Sequence, residues 1–104
     1  MTQFDVFANP VTRARHAYPY VVLLQAGVAQ TGHDKVVAPT APRAAFPAIP
    51  GRLTPVVTIE QNDFVLLVTS LTTLPGSCLR TAMASLADRR EDILAAIDYL
   101  FFGV

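Results

Sequence analysis

Residue types that often carry chemistry are scarce in this 104-residue chain. Cys78 is the only cysteine, Lys35 is the only lysine, and tryptophan is absent. A single cysteine excludes an internal disulfide and a zinc site built from paired cysteines. Eight basic side chains are balanced by eight acidic ones, so no long-range field attracts nucleic acid. We therefore expect no direct binding to a phosphate backbone.

Long apolar runs are also missing. No stretch approaches the ~20 apolar residues that a membrane-spanning helix needs, and no basic start followed by an apolar run indicates a signal peptide. We therefore expect a cytoplasmic protein without a membrane partner. Apolar residues make up 52% of the chain and charged ones 15%, a composition typical of a compact fold with large buried or partner-covered surfaces. The length predicts one domain over 1–104.

The chain does contain a series of strand patterns. Alternating or continuous β-branched and aliphatic runs, bounded by Gly, Pro, Asn and Asp, are typical of strands. The run 20–25 is apolar enough for a central strand covered on both faces, and 61–63 separates two runs as a hairpin turn does. Strands are predicted over 2–7, 20–25, 35–38, 55–60, 64–69 and 71–74.

Five prolines lie between positions 39 and 55. Proline removes a backbone donor and clashes with the preceding helical turn, so a long helix is excluded here. We interpret the segment as an extended or looped excursion, held to the body by Phe46 and Ile49.

The last stretch, 86–104, is predicted to be the organising helix. Ser85 with Asp88 offers an N-cap and an acid in the first turn, and Gly103 permits a break before Val104. An exposed Phe102 beside an apolar tip is either ordinary fraying or a plug for a partner. At about 3.6 residues per turn, one side of this helix is expected to face the sheet and the other to face solvent. The residues predicted to face the sheet are Leu86, Ile93, Leu94, Ile97, Leu100 and Phe101. Those predicted to face solvent are Ala95, Asp98, Tyr99 and Phe102.

Strands followed by one terminal helix predict an α+β fold, a small antiparallel barrel with a helix packed on it.

The chain has few residues that could form a catalytic site. His16 and His33 lie in separate polar links without a partner at motif spacing, and Cys78 is expected to be a small buried residue. No phosphate-binding glycine loop or metal motif is present. These patterns favour a protein that acts by binding, with neither cofactor nor metal.

The chain resembles the CcdB family of bacterial toxins from end to end. The resemblance rests on short motifs that occur in the family's order along the chain. They are Gln3-Phe4-x-Val6-Phe7, Tyr18-Pro19-Tyr20 before a strand ending at Gln25, Val37-x-Pro39, Pro55-Val56-Val57-x-Ile59, and Leu74-Pro75. The most specific motif is the last one, Asp92-Ile93-x-x-Ala96-Ile97-Asp98-x-Leu100-Phe101-Phe102-Gly103-Val104.

The resemblance implies an SH3-like barrel with a C-terminal helix, a homodimer, and a binding poison of the A subunit of DNA gyrase that traps its cleaved-DNA complex. It also implies a cognate CcdA-like antitoxin with a disordered segment that folds onto the toxin. The gyrase-binding positions of the family correspond here to Phe102, Gly103, Val104, Asp98, Ala26 and Val28.

Three of these positions depart from the best-known family pattern. Phe102 replaces tryptophan, Ala26 replaces serine and Asp98 replaces asparagine. A phenyl ring keeps stacking area but loses the indole donor, and two hydrogen-bonding partners become a methyl group and a charge. These departures leave open a non-toxic family member that binds only antitoxin. A second alternative, a ribonuclease toxin resembling MazF and Kid, stays open because those toxins share the barrel, and a fold alone does not determine function.

Overall fold

The computed structural model describes residues 1–30, 32–46 and 50–104. All the strand pairs in this part of the chain are antiparallel. The strands form one sheet in the order β4-β5-β3-β2-β1-β7, and β6 pairs with β3 outside this path. A nearly closed antiparallel barrel with one C-terminal helix confirms the predicted α+β, SH3-like fold. The elements are β1 (Asp5–Ala8), β2 (Tyr20–Leu23), β3 (Asp34–Pro42), β4 (Val56–Ile59), β5 (Asn62–Leu66), β6 (Thr72–Pro75), β7 (Ala84–Ser85) and α1 (Arg90–Phe102).

β3 is the long strand that closes the barrel, and it runs four residues beyond the predicted end at Ala38. Its first half pairs with β2 and β6, and its second half pairs with β5. Pro39 lies where β3 changes partner and Pro42 at the end of the strand, positions where a missing N–H does least harm to a ladder. The carbonyl of Pro39 still accepts the Leu67 N–H at 2.9 Å. The start of the segment interpreted as an extended or looped excursion is therefore extended, and residues 39–42 belong to β3.

The predicted hairpin is confirmed as β4 and β5. Its turn consists of Glu60 and Gln61, whose φ angles are 49° and 70°, and Ile59 pairs with Asn62 across it. Two positive φ angles give the turn twist that matches right-twisted strands. The turn lies one residue earlier than the sequence indicated, so that Asn62 and Asp63 belong to β5.

Both faces of the β1-β2-β3 region are buried, as predicted for the run 20–25. Alternate residues of each strand point to opposite faces, so Val22 belongs to the cluster beneath α1 whereas Val21 and Leu23 belong to a second cluster closed by Leu79. The members of the second cluster are Phe7, Val21, Leu23, Val37 and Leu79.

Some elements had no clear sequence signal. β7 has two residues and pairs with β1. A 3-10 turn at Val68–Ser70 ends the strand predicted over 64–69 at Leu66. Phe46, which was expected to hold the proline-rich segment, is half-buried. Ile49, its expected partner, lies outside the described residues.

Candidate partner-binding surface

α1 rests on the barrel through a face centred on its small residue. Ile93 and Ala96 are fully buried, and Leu94, Ile97 and Leu100 pack against the same cluster from its edges. A methyl side chain at Ala96 lets the helix axis approach the sheet closely, so the bulkier side chains fill the space around it.

Phe101 was predicted to face the barrel, and this was wrong because its side chain is 62% exposed. The predicted stripe was drawn through the large apolar residues and left out Ala96. Neighbouring residues are about 100° apart around a helix, so Phe101 lies about 80° from Ile93 and about 140° from Ala96. A face centred on this buried pair therefore leaves Phe101 at its margin, beside the solvent-facing side.

The start of α1 is tied to β4 and to the segment before β1 by arginine side chains. Arg89 donates to the Val56 carbonyl at 3.0 Å and pairs with Asp92 at 2.9 Å, and Arg90 donates to the side-chain oxygen of Gln3 at 2.8 Å. These two arginines are therefore engaged within the protein. The ion pair is exposed and contributes little stability.

The helix begins later than predicted. Ser85 does cap a turn, since its hydroxyl accepts the Ala87 N–H at 3.2 Å, but that turn is the 3-10 segment Ala87–Arg89. α1 itself starts at Arg90, with Glu91 and Asp92 as the acids of its first turn.

The end of α1 is well defined. Gly103 adopts the left-handed conformation with φ of 72°, and its N–H donates to the Tyr99 carbonyl at 3.0 Å. This is a typical glycine cap, which a residue with Cβ adopts only at a cost. The Arg52 guanidinium lies 4.0 Å from the centre of the Tyr99 ring, which braces the last turn from one side.

Beyond that brace the terminus is apolar and open to solvent. Phe102 is 74% exposed and Val104 is 76% exposed, as expected for side chains that point away from the barrel. Asp98 is exposed one turn earlier on the outward side of the helix. The structure thus places Asp98, Phe102, Gly103 and Val104 together at one end of α1.

The other two predicted site residues lie in the loop after β2. Ala26 is half-buried, and Val28 is 93% exposed at the top of the 3-10 turn Gly27–Ala29. Gln25 braces this loop, because its amide nitrogen donates to the Ala29 carbonyl at 3.2 Å while its amide oxygen accepts the Val36 N–H at 2.8 Å. Among the described residues, no hydrogen bond or ion pair joins this loop to the end of α1.

Other residues that the sequence singled out do not form a catalytic group. His16 and His33 are exposed and lie in different links of the chain. Cys78 is also exposed, which corrects the expectation of a buried thiol. In the ranges 1–30, 32–46 and 50–104, no cluster of three or more His, Cys, Asp or Glu is arranged to hold a metal ion.

The same part of the chain contains no helix that is both long enough and apolar enough to cross a membrane.

The fold and the surface together define a small SH3-like α+β barrel whose terminal helix presents an apolar end. The family model described as CcdB protein matches residues 3–103, and the chain belongs to this family of toxins from toxin–antitoxin modules. No curated protein gives a significant match.

Proposed function

We propose that this protein binds the A subunit of DNA gyrase through the end of α1, traps the cleaved-DNA complex, and has no catalytic activity of its own. The observation that carries the proposal is the exposure of Phe102 and Val104 on a helix whose opposite side is fixed to the core. A rigid helix that presents exposed rings loses little conformational entropy on binding. An aromatic side chain in such a position is the usual anchor of a protein interface.

The exposed position of Phe101 extends this surface. Two adjacent rings, Phe101 and Phe102, project from neighbouring sides of the last helical turn, and Val104 follows them. Ala26 and Val28 supply a second contact region in a loop that Gln25 holds in shape. Asp98 adds a carboxylate that a donor of the partner can meet. Our proposed gyrase-binding residues are therefore Phe101, Phe102, Gly103, Val104, Asp98, Ala26 and Val28.

The direct test uses purified gyrase, relaxed plasmid and ATP. We expect the intact protein to make gyrase accumulate cleaved plasmid after denaturation, because a trapped cleavage complex leaves broken DNA. A cognate CcdA-like antitoxin, added in excess, is expected to reverse the effect. Unchanged supercoiling and no cleaved plasmid at saturating protein would contradict the proposal and favour a family member that binds only antitoxin.

We further propose that the protein acts as a homodimer in the cytoplasm. Half of its residues are apolar, more than a 104-residue chain buries readily by itself, and a two-fold dimer matches a symmetric pair of gyrase subunits. Sedimentation equilibrium at micromolar concentration is expected to give twice the chain mass of 11.2 kDa. A monomer at that concentration would contradict this arrangement.

The rival function is RNA cleavage by an SH3-like ribonuclease toxin. Such an enzyme needs an acid–base pair that converges on one site, and His16 and His33 lie apart, with no carboxylate lining the pocket next to His16. We expect the double variant His16→Ala, His33→Ala to keep full growth inhibition and total cellular RNA to stay intact on expression of either form. RNA cleavage that disappears in the double variant would establish the nuclease function instead.

A further inference from the structure

An open cavity of about 640 Å³ lies on the side of the barrel where β1 ends. Three of its lining residues, Phe7, Ala8 and Pro10, are apolar. The others carry two guanidinium groups, two hydroxyls and a thiol: Arg15, Arg80, Ser77, Thr81 and Cys78. No carboxylate lines the cavity, so its polar groups are mainly donors.

Arg15 is held in place by an internal bond. Its Nε donates to the Asn9 carbonyl at 2.5 Å, which leaves the two terminal nitrogens for a ligand. Asn9 is itself 5% exposed, with its side-chain nitrogen bonded to the Tyr18 carbonyl at 2.9 Å and its oxygen to the Val11 N–H at 3.0 Å. The link that carries Arg15 is therefore fixed at both ends by one buried side chain.

The segment that carries Arg80 and Thr81 is fixed in a similar way. Leu79 is buried in the second core cluster, its N–H donates to the Gly76 carbonyl at 3.1 Å, and the Met83 N–H donates to the Val6 carbonyl at 2.8 Å. Between these anchors, Arg80 and Thr81 stay exposed. The donors on this segment thus need no large rearrangement to meet a ligand.

Both guanidinium groups lack an internal counter-ion. Across the described residues, the only ion pair joins Arg89 to Asp92, on α1 and away from this cavity. Two unpaired guanidinium groups that line the same cavity attract an anion more strongly than scattered surface charges do.

We propose that this cavity binds a small phosphate monoester, with the phosphoryl group between Arg15 and Arg80 and the organic part against Phe7 and Pro10. One bidentate arginine satisfies a carboxylate, whereas two arginines with two hydroxyls match the higher charge and three oxygens of a phosphoryl group. The volume lies in the range of small-molecule sites and exceeds that of a bare phosphate ion. The site is independent of the proposed gyrase contact.

The test is a nuclear magnetic resonance titration of the full chain with three probes: inorganic phosphate, phenyl phosphate and acetate. We expect saturable shifts at the amides of residues 77–81 with both phosphates, with phenyl phosphate binding at least as tightly, and no saturable shift with acetate. The absence of saturable binding by either phosphate would overturn the proposal. Equal binding of acetate would also overturn it in favour of a carboxylate site.

Arg80→Gln is the informative variant, because Arg80 is exposed and makes no side-chain hydrogen bond within the described chain, so we expect its replacement to leave the fold intact. We expect it to weaken phosphate binding by about tenfold or more, as for the loss of a charge-assisted contact. Arg13→Gln is the matched control, since Arg13 is exposed in the same link as Arg15 and does not line the cavity. Equal weakening in both variants would show general ionic attraction and overturn the site. Thr81→Val supplies a second, uncharged test, and an unchanged affinity there would contradict the role of the hydroxyl.

Discussion

Deleting Phe102, Gly103 and Val104 is expected to abolish growth inhibition while the protein remains folded. The three residues lie beyond the part of α1 that packs on the barrel, and two of them, Phe102 and Val104, are about three-quarters exposed. Their removal loses the bond from the Gly103 N–H to the Tyr99 carbonyl and the helical bond of Phe102, the last residue of α1. Each corresponds to about 1 kcal/mol of stability or less, because water satisfies the freed groups at an exposed helix end. We therefore expect a fall of only a few degrees in melting temperature, with antitoxin binding kept. Growth of cells that express the truncated chain, with a thermal melt of the purified protein, is the measurement.

A single exposed apolar side chain elsewhere provides the control for this truncation. Val11 is 40% exposed and lies in the link after β1, so Val11→Ala removes apolar surface without altering the tail. We expect it to inhibit growth as the intact protein does. Loss of fold on truncation would mean that the tail belongs to the core, whereas full toxicity of the truncated chain would remove the gyrase proposal.

Replacing Ile93 by alanine is expected to lower the free energy of unfolding by roughly 2–5 kcal/mol. Ile93 is fully buried between α1 and the barrel, and truncating such a side chain loses its transfer energy and leaves a cavity. Phe101→Ala removes a larger side chain but one that is 62% exposed, so we expect a loss below about 1 kcal/mol. Chemical denaturation of the two variants and the intact protein at the same concentration measures both values.

This pair of variants tests the orientation of the helix. If the helix has the orientation described above, Ile93→Ala lowers the free energy of unfolding much more than Phe101→Ala does. Similar losses of stability in the two variants, or a larger loss in Phe101→Ala, would contradict this orientation. Either result would favour the orientation inferred from the large apolar residues alone.

The strands and the hairpin were predictable because their patterns are local. Residues 20–25 form a continuous aliphatic run, and burial on both faces is the usual reason for such a run. The second half of β3 was missed because prolines at 39 and 42 argue against a strand when read locally. β3 tolerates these prolines because its partner changes from β2 to β5 along its length. That change is a property of the assembled sheet and has no local sequence signal.

The candidate surface was predictable in its main residues but not in its edge. The exposure of Phe102 followed from its spacing relative to Ile93 and Ile97 on the helix. Phe101 was misplaced because Ala96 carries little hydrophobic weight in a sequence pattern, although a small residue can mark the closest approach of a helix to a sheet. A stripe centred between Ile93 and Ala96 would have placed Phe101 about 110° from its centre, at the margin.

The most direct test of the central claim is a calorimetric titration of the gyrase A subunit with the intact protein, Phe102→Ala and Phe102→Trp. We predict saturable binding of the intact protein and a loss of about thirtyfold or more in Phe102→Ala, since an aromatic anchor contributes roughly 2 kcal/mol or more. Phe102→Trp is expected to bind at least as tightly as the intact protein because it adds area and an indole donor. No binding by any form, or equal affinity of the intact protein and Phe102→Ala, would contradict the account.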